Sequence, residues 1–155
     1  MTDVFDPSKR SQVMAGIRGR GNRSTELAMV ALLRDAGIKG WRRHVKLHPR
    51  LSAVDADLAT KRNAGCILTR PDFTFRPAKV ALFVDGCFWH ACPLHSTAPA
   101  QNAEAWAKKL AGNARRDAAQ TRALEAAGWS VLRVWEHDLK DRPSLMTRLR
   151  SQLVS

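Results

Sequence analysis

The run Cys87-Phe-Trp-His90-Ala-Cys92-Pro-Leu-His95 gathers thiols and imidazoles within nine residues. Thiolate and imidazole ligands at this density suit zinc, usually held by four of them. Cys87, Cys92 and His95 are three candidates, and a fourth must come from elsewhere in the chain. His137, in Trp135-Glu136-His137-Asp138, is the best placed, and Cys66 competes. The alternative is a pair of small buried cysteines with surface histidines. His90, between the two cysteines, is also a candidate general acid or base, because an imidazole titrates near neutral pH. Upstream, Arg70-Pro-Asp72-Phe sets a carboxylate at the start of one apolar run, and Asp85 closes the next. Antiparallel neighbours joined by a short turn bring these ends together, and two converging carboxylates can hold a hard cation such as Mg²⁺. The bland alternative makes Asp72 a turn residue and pairs Asp85 with an arginine. Phe88 and Trp89 are adjacent aromatics beside these polar groups. They are either core residues or apolar wedges of the kind that unstack a duplex step.

The elements that must position these groups follow from pattern. Residues 24–36 read as a helix, capped by Asn22 or Ser24, striped by Leu27, Val30 and Leu33 or Ala31, and stopped by Gly37. Trp41 to Leu47 alternates weakly, as a strand does. Residues 48–69 have no period and read as a loop or insertion, long for a compact domain. Phe73–Phe75 and Val80–Val84, separated by Arg76-Pro-Ala-Lys79, predict a hairpin whose second strand is apolar enough for burial on both faces. Residues 85–101 are irregular. Residues 102–127 are helical in composition, with Trp106, Leu110, Ala114, Thr121 and Leu124 on one side and Gly112 as a dividing point. After Gly128, Trp129–Trp135 alternates as a strand, and Pro143 opens a last helix with Leu145, Leu149 and Leu153 inward. The order is that of an α/β domain, a mixed central sheet flanked by helices.

Composition sets the partner. The chain has 155 residues, 45% hydrophobic, which suits one domain with a sizeable core. Lys plus Arg number 26 against 14 Asp plus Glu, a formal charge of +12. Such an excess points to a polyanion, most simply nucleic acid. Three cysteines are too few for a disulfide scaffold. No apolar stretch is long enough for a membrane span or a signal peptide, so a cytoplasmic protein with no membrane partner is expected. Residues 1–21 are basic and glycine-containing and read as an arm, or else as a disordered tail.

With these residues in view, Val84-Asp-Gly-Cys-Phe-Trp-His-Ala-Cys-Pro resembles the very short patch repair endonucleases of bacteria, mismatch-directed DNA nicking enzymes of the PD-(D/E)xK superfamily. The likeness runs from about Ser8 to Leu153. It takes in Met14 within Arg10-Ser-Gln-Val-Met-Ala-Gly-Ile, Thr25-Glu26-Leu, Arg70-Pro-Asp-Phe, Trp106, Asn113, Arg116-Asp117 and Leu124 to Glu136.

The resemblance implies a single-domain restriction-endonuclease-like fold with a structural zinc site, residues 22–155 forming the endonuclease and 1–21 a DNA-contacting arm. It implies Asp72 as the central Mg²⁺ carboxylate and His90 as the group that activates the attacking water. Glu26 and Asp117 match acids near that water. Phe88, Trp89 and Trp106 match aromatics that wedge into DNA from the major-groove side, and Met14 a residue entering from the minor groove. Cys87, Cys92 and His137 match zinc positions.

Three departures stand out. Val84-Asp85 replaces the family's Thr-His, so Asp85 offers a second metal carboxylate while Cys87 stands where the superfamily has lysine. The fourth zinc position falls on Leu94, leaving His95 to substitute. The 48–69 stretch is longer than the family's loop. The function implied is Mg²⁺-dependent nicking of one strand beside a T·G mismatch, by a monomer acting at the bacterial nucleoid with repair-pathway partners. The alternatives are a homing-type or defence nuclease with another DNA target, and a non-catalytic, zinc-stabilised DNA-binding module.

Overall fold

The structure, a computed structural model, describes residues 25–87, 90, 92–95 and 100–154. Four strands form one sheet in the order β1-β2-β3-β4: β1 Arg42–Arg43, β2 Phe73–Phe75, β3 Val80–Asp85 and β4 Ser130–Trp135. The first three run antiparallel to one another, and β4 lies parallel to β3. Helix α1 (Glu26–Asp35) precedes the sheet, α2 (Ala103–Ala126) crosses from β3 to β4, and α3 (Arg142–Leu153) ends the chain. A mixed α/β sheet flanked by helices is what the sequence pattern led to.

All six residues of β3 are buried, so its side chains fill two cores by strict alternation. Val80, Leu82 and Val84 join Phe73, Phe75 and Val134 against Met29, Val30 and Leu33 of α1 and Leu145 and Leu149 of α3. Ala81 and Phe83 face the other way, onto Leu124 of α2 with Trp129 and Val131 beside them. Trp41 meets Phe73 edge-on with ring centroids 5.4 Å apart. Truncating a fully buried aromatic such as Phe73 costs roughly 3–5 kcal/mol.

Several element expectations are corrected. The strand expected over Trp41–Leu47 stops after two residues, because His44 takes a left-handed conformation at φ 54°. Gly112 does not divide α2, which runs 24 residues unbroken; a single exposed glycine costs only about 1 kcal/mol in a helix this long. The buried face of α2 is Ala119, Ala123 and Leu124, with Ala114 exposed. On α1 the buried set is Met29, Val30, Leu32 and Leu33, while Leu27 and Ala31 face outward. Gly37, at φ 68°, ends α1 as expected, and α3 starts with Pro143 in its first turn and Asp141 accepting from the Ser144 N–H at 3.2 Å. The expected caps Asn22 and Ser24 lie outside the described residues, as do the 1–21 arm, Met14, Phe88 and Trp89.

The irregular 48–69 stretch is a closed excursion. Isolated bridges Leu47↔Thr69 and Arg50↔Cys66 zip its neck, and Ala53–Leu58 form a 3₁₀ turn within it. Asp55, 1% exposed, is its anchor. Its carboxylate accepts from Arg122 Nε at 2.9 Å and Nη2 at 2.5 Å on α2, and from Ser52 Oγ at 2.6 Å. The Arg122 bond, then that of Ser52, holds the Asp55 pKa down at about 2, below the usual 3.8, with Arg115 adding a weaker pull. A depressed pKa stabilises the fold above the unfolded value, and that contribution is lost as pH falls through the folded value. Thermal unfolding therefore shows Asp55→Asn less stable than the parent at pH 7, with the gap closing between about pH 4 and pH 2. A gap that is constant across that window contradicts the anchor.

Candidate functional site

The register of β3 decides which side chains meet. Asp72 precedes β2, and its Oδ2 accepts the Val84 N–H at 2.7 Å across the hairpin. Continuing the antiparallel register of Arg43↔Phe73 by one step sets His44 opposite Asp72. Glu26, the first residue of α1 and 3% exposed, completes the group: the ligand atoms of Glu26, His44 and Asp72 all lie within 4.8 Å of one another. Glu26 Oε1 is 2.5 Å from His44 Nε2 and accepts from Arg43 Nε at 2.7 Å, with Arg43 Nη2 on the same oxygen. Burial pushes Asp72 up to about 6, partly opposed by the Val84 N–H, and the charges of Glu26 and Asp85 push it further. A half-buried carboxylate beside two others is a setting in which a cation restores the ionised form.

Asp85 was expected to share a cation with Asp72. Its two oxygens instead accept from Arg133 Nη1 at 3.1 and 2.9 Å. The group drawn around Asp72 contains Glu26 and His44 rather than Asp85. Asp85 Oδ1 also lies 3.8 Å from His90 Nδ1.

His90 and Asp117 are brought together from the β3–α2 connection and α2, with Nδ1 2.5 Å from Asp117 Oδ2. Burial pulls the His90 pKa down, but the Asp117 bond and the charge of Asp85 outweigh it, so the net direction is up. Arg133 ties this corner together. Besides Asp85, it donates to the Asp117 carbonyl at 3.2 Å and the Thr121 hydroxyl at 3.1 Å, and its guanidinium sits 4.3 Å over the Phe83 ring.

Arg133 and His44 were not among the expected site residues. An arginine in the middle of the apolar run Val131-Leu-Arg-Val134 was a usable signal, since charges rarely turn inward unpaired. His44 had no such signal, because only the β1–β2 register and its left-handed backbone bring it to Asp72. Trp106, on α2, is half-buried, has the Lys109 ammonium 5.3 Å from its ring, and among the described residues belongs to neither core cluster.

The second cluster is Cys87, Cys92, His95 and His137, again with ligand atoms mutually within 4.8 Å. Parallel pairing of Asp85 with Trp135 makes Cys87 and His137 leave the sheet side by side. The Cys92 N–H then returns to the Cys87 carbonyl at 3.1 Å. Sulfur–nitrogen distances are 3.4 Å (Cys87–His137), 3.6 Å (Cys92–His137) and 3.8 Å (Cys92–His95), and the two Nδ1 atoms are 3.2 Å apart. Tetrahedral zinc, with bonds of about 2.3 Å to sulfur and about 2.0 Å to nitrogen, spaces S–N pairs about 3.6 Å and N–N pairs about 3.3 Å apart. The donor set and spacing therefore fit a metal ion. The far nitrogen of His137 faces Asp138 Oδ1 at 3.5 Å, the kind of outer carboxylate that orients a ligand imidazole. Cys66 is not part of the cluster, being held in the excursion opposite Arg50.

A sheet edge that gathers acids, a histidine–aspartate pair and a thiol–imidazole cluster able to hold a metal, on a strongly basic chain, is the kind of site found in enzymes that act on nucleic acid. The relatives agree. The family model for the DNA mismatch endonuclease Vsr matches residues 54–95. The Type II nicking enzyme V.XorIIP of Xanthomonas oryzae pv. oryzae is 32% identical over 155 residues, 99% of this chain and 98% of its own. The DNA mismatch endonuclease Vsr of Escherichia coli is 32% identical over 147 residues, 94% of this chain and 80% of its own. The Type II nicking enzyme V.NaeI of Lentzea aerocolonigenes is 49% identical over 72 residues, 46% of this chain and 43% of its own. The chain belongs to the very short patch repair (Vsr) endonuclease family, and it is a DNA endonuclease acting on phosphodiester bonds. The alternative of a non-catalytic DNA-binding module falls with that. Among the described residues no helix is long and apolar enough to cross a membrane.

For the thiol–imidazole cluster, elemental analysis of purified protein is expected to give about one zinc per chain. His137→Ala should lose it together with a drop in melting temperature, because a closed site contributes directly to folding. Full zinc content and an unchanged melting temperature in that variant would contradict the cluster.

Proposed function

We propose that the chain is a Mg²⁺-dependent endonuclease of restriction-endonuclease-like fold that nicks one DNA strand beside a T·G mismatch, with zinc as a structural ion. The observation that carries this reading is the convergence of Asp72, Glu26 and His44 at the same sheet edge as the His90–Asp117 pair. Asp85 links the two, because its charge acts on Asp72 while its carboxylate approaches His90.

Asp72 and Glu26 would hold the Mg²⁺ through oxygen, with His44 alongside. When bound, the ion supplies positive charge to the developing oxyanion and the leaving oxygen. The protein's own groups do the rest. Asp117 holds the proton on Nδ1 of His90, which leaves Nε2 to take a proton from the water that attacks phosphorus while the P–O bond to the leaving oxygen breaks. Arg133 compensates Asp85 and Asp117, which offsets the repulsion between the two carboxylates that flank His90. Arg43 does the same for Glu26.

Phe88, Trp89 and Trp106 are assigned as the aromatic wedge, and Met14 on the 1–21 arm as its counterpart from the other groove. Opening a faulty pair costs less than opening a sound one, so a wedge turns weak pairing into preferential binding. The half-buried setting of Trp106, outside both cores, supports this. Residues 22–155 are taken as the endonuclease. Cytoplasmic action at the nucleoid as a monomer with repair-pathway partners completes the proposal. A second reading, a nicking enzyme with a different target, is favoured by the relatives named Type II nicking enzymes.

The test is single-turnover cleavage of matched and T·G-mismatched duplexes, with and without Mg²⁺, mapped on both strands. One nick beside the mismatch, dependent on Mg²⁺, is expected. Asp72→Asn should bind the duplex at least as well as the parent and cut it roughly a thousand-fold more slowly or worse, since several kcal/mol of transition-state stabilisation is lost. Equal cleavage of both duplexes would favour the second reading, and near-normal cutting by Asp72→Asn would remove Asp72 from the reaction.

A further inference from the structure

Residues 46–70 carry five Lys or Arg against two acids, Asp55 and Asp57. Both acids are turned onto α2, Asp55 to Arg122 and Asp57 to Arg115, and Gln120 Nε2 donates to the Leu68 carbonyl at 3.3 Å. Asp57 stays more than half exposed within its pair, so the charges left unpaired on the outward face are positive. Lys46, Arg50, Lys61, Arg62 and Arg70 are all exposed, and none has an ion pair among the described residues.

The tip of the excursion is built rather than left loose. Asn63 Oδ1 accepts from the Thr60 N–H at 2.7 Å and the Gly65 N–H at 3.2 Å, and its Nδ2 donates to the Leu58 carbonyl at 2.9 Å. The Asn63 N–H returns to the Thr60 hydroxyl at 3.2 Å. Lys61 and Arg62 are the two residues inside this turn. The neck places the excursion against the site, because the Leu47↔Thr69 bridge lies three residues from both His44 and Asp72. A duplex positioned for cutting at Asp72 therefore passes close to the base of an arm whose acids are neutralised and whose cations are free.

We propose that the 46–70 excursion is a second contact to the DNA backbone, with Lys61 and Arg62 at its tip binding phosphates of the duplex that flanks the cut. The proposal rests on DNA being cut at the Asp72 edge, but not on the identity of the mismatch. Fixing cations on a latched turn lowers the ordering cost of each phosphate contact, and each cation that neutralises a phosphate adds to the salt dependence of binding.

The experiment titrates KCl against binding of the full-length protein to a fluorescent, fully matched duplex. It compares the parent, Lys61→Ala/Arg62→Ala, and the charge-matched control Arg34→Ala/Arg150→Ala, which removes exposed cations from α1 and α3. The loop variant should show a slope of log affinity against log salt shallower by about 2, roughly 1 per lost contact. The control should stay near the parent. Lys61→Glu/Arg62→Glu should weaken binding beyond the alanine pair. Zinc content and melting temperature should be unchanged in the loop variant, which separates a lost phosphate contact from a damaged fold. An unchanged slope overturns the proposal, as does an equal change in control and loop variants. A parent that fails to nick any duplex counts against the Asp72 reading instead, and leaves the slope comparison to decide this one.

Discussion

The register of β3 is the constraint on which the rest depends. One fully buried strand pairs antiparallel with β2 and parallel with β4, so three chain ends open at a single edge of the sheet. The start of β2 brings Asp72 onto the Val84 N–H. The end of β3 delivers Asp85 and Cys87, and the end of β4 delivers His137. A slip of one residue would send every side chain of β3 to the opposite core. It would separate Asp72 from Val84 and Cys87 from His137 together. The apolar alternation that builds two cores is thus also what assembles both polar clusters.

Around that edge the charges are matched locally despite a large surplus of cations. Glu26 meets Arg43 and His44, Asp85 meets Arg133, Asp117 meets His90, and Asp55 meets Arg122. Removing one member of such a buried pair leaves the other uncompensated, which costs more than the pair contributes. Asp72 differs. Its bond is to a backbone N–H, and its nearest charges include two further carboxylates. It lacks an arginine or lysine partner among the described residues, and most of the described arginines and lysines are exposed.

The sequence made the hairpin, β4, the long helix and the Cys–His set legible because each leaves a local trace: a run of apolar residues, a turn, a spacing of ligands. The membership of His137 was readable from its position just past a strand. Less was readable where tertiary register decides. His44 reaches Asp72 through a left-handed residue that cut the expected strand short. The donor atoms gathered around Asp72 are those of Glu26 and His44, whereas the Asp85 carboxylate is bonded to Arg133. Gly112 read as a break because propensity is local, whereas α2 is held by packing at Ala119, Ala123 and Leu124. The 48–69 stretch had no period because its order comes from bridges across its neck and from a buried aspartate on another helix.

A divalent cation proposed at Asp72, on the edge opened by β3, is distinguishable from one bound by the thiol–imidazole cluster. Mn²⁺ titrated into zinc-loaded, isotope-labelled protein reports on this through paramagnetic broadening of backbone amides. With the cation at Asp72, the amides of Glu26, His44, Phe73 and Val84 broaden first, and Asp72→Asn abolishes this while Asp85→Asn with Arg133→Met leaves it in place. Broadening centred on other residues, or unchanged by Asp72→Asn, would contradict it.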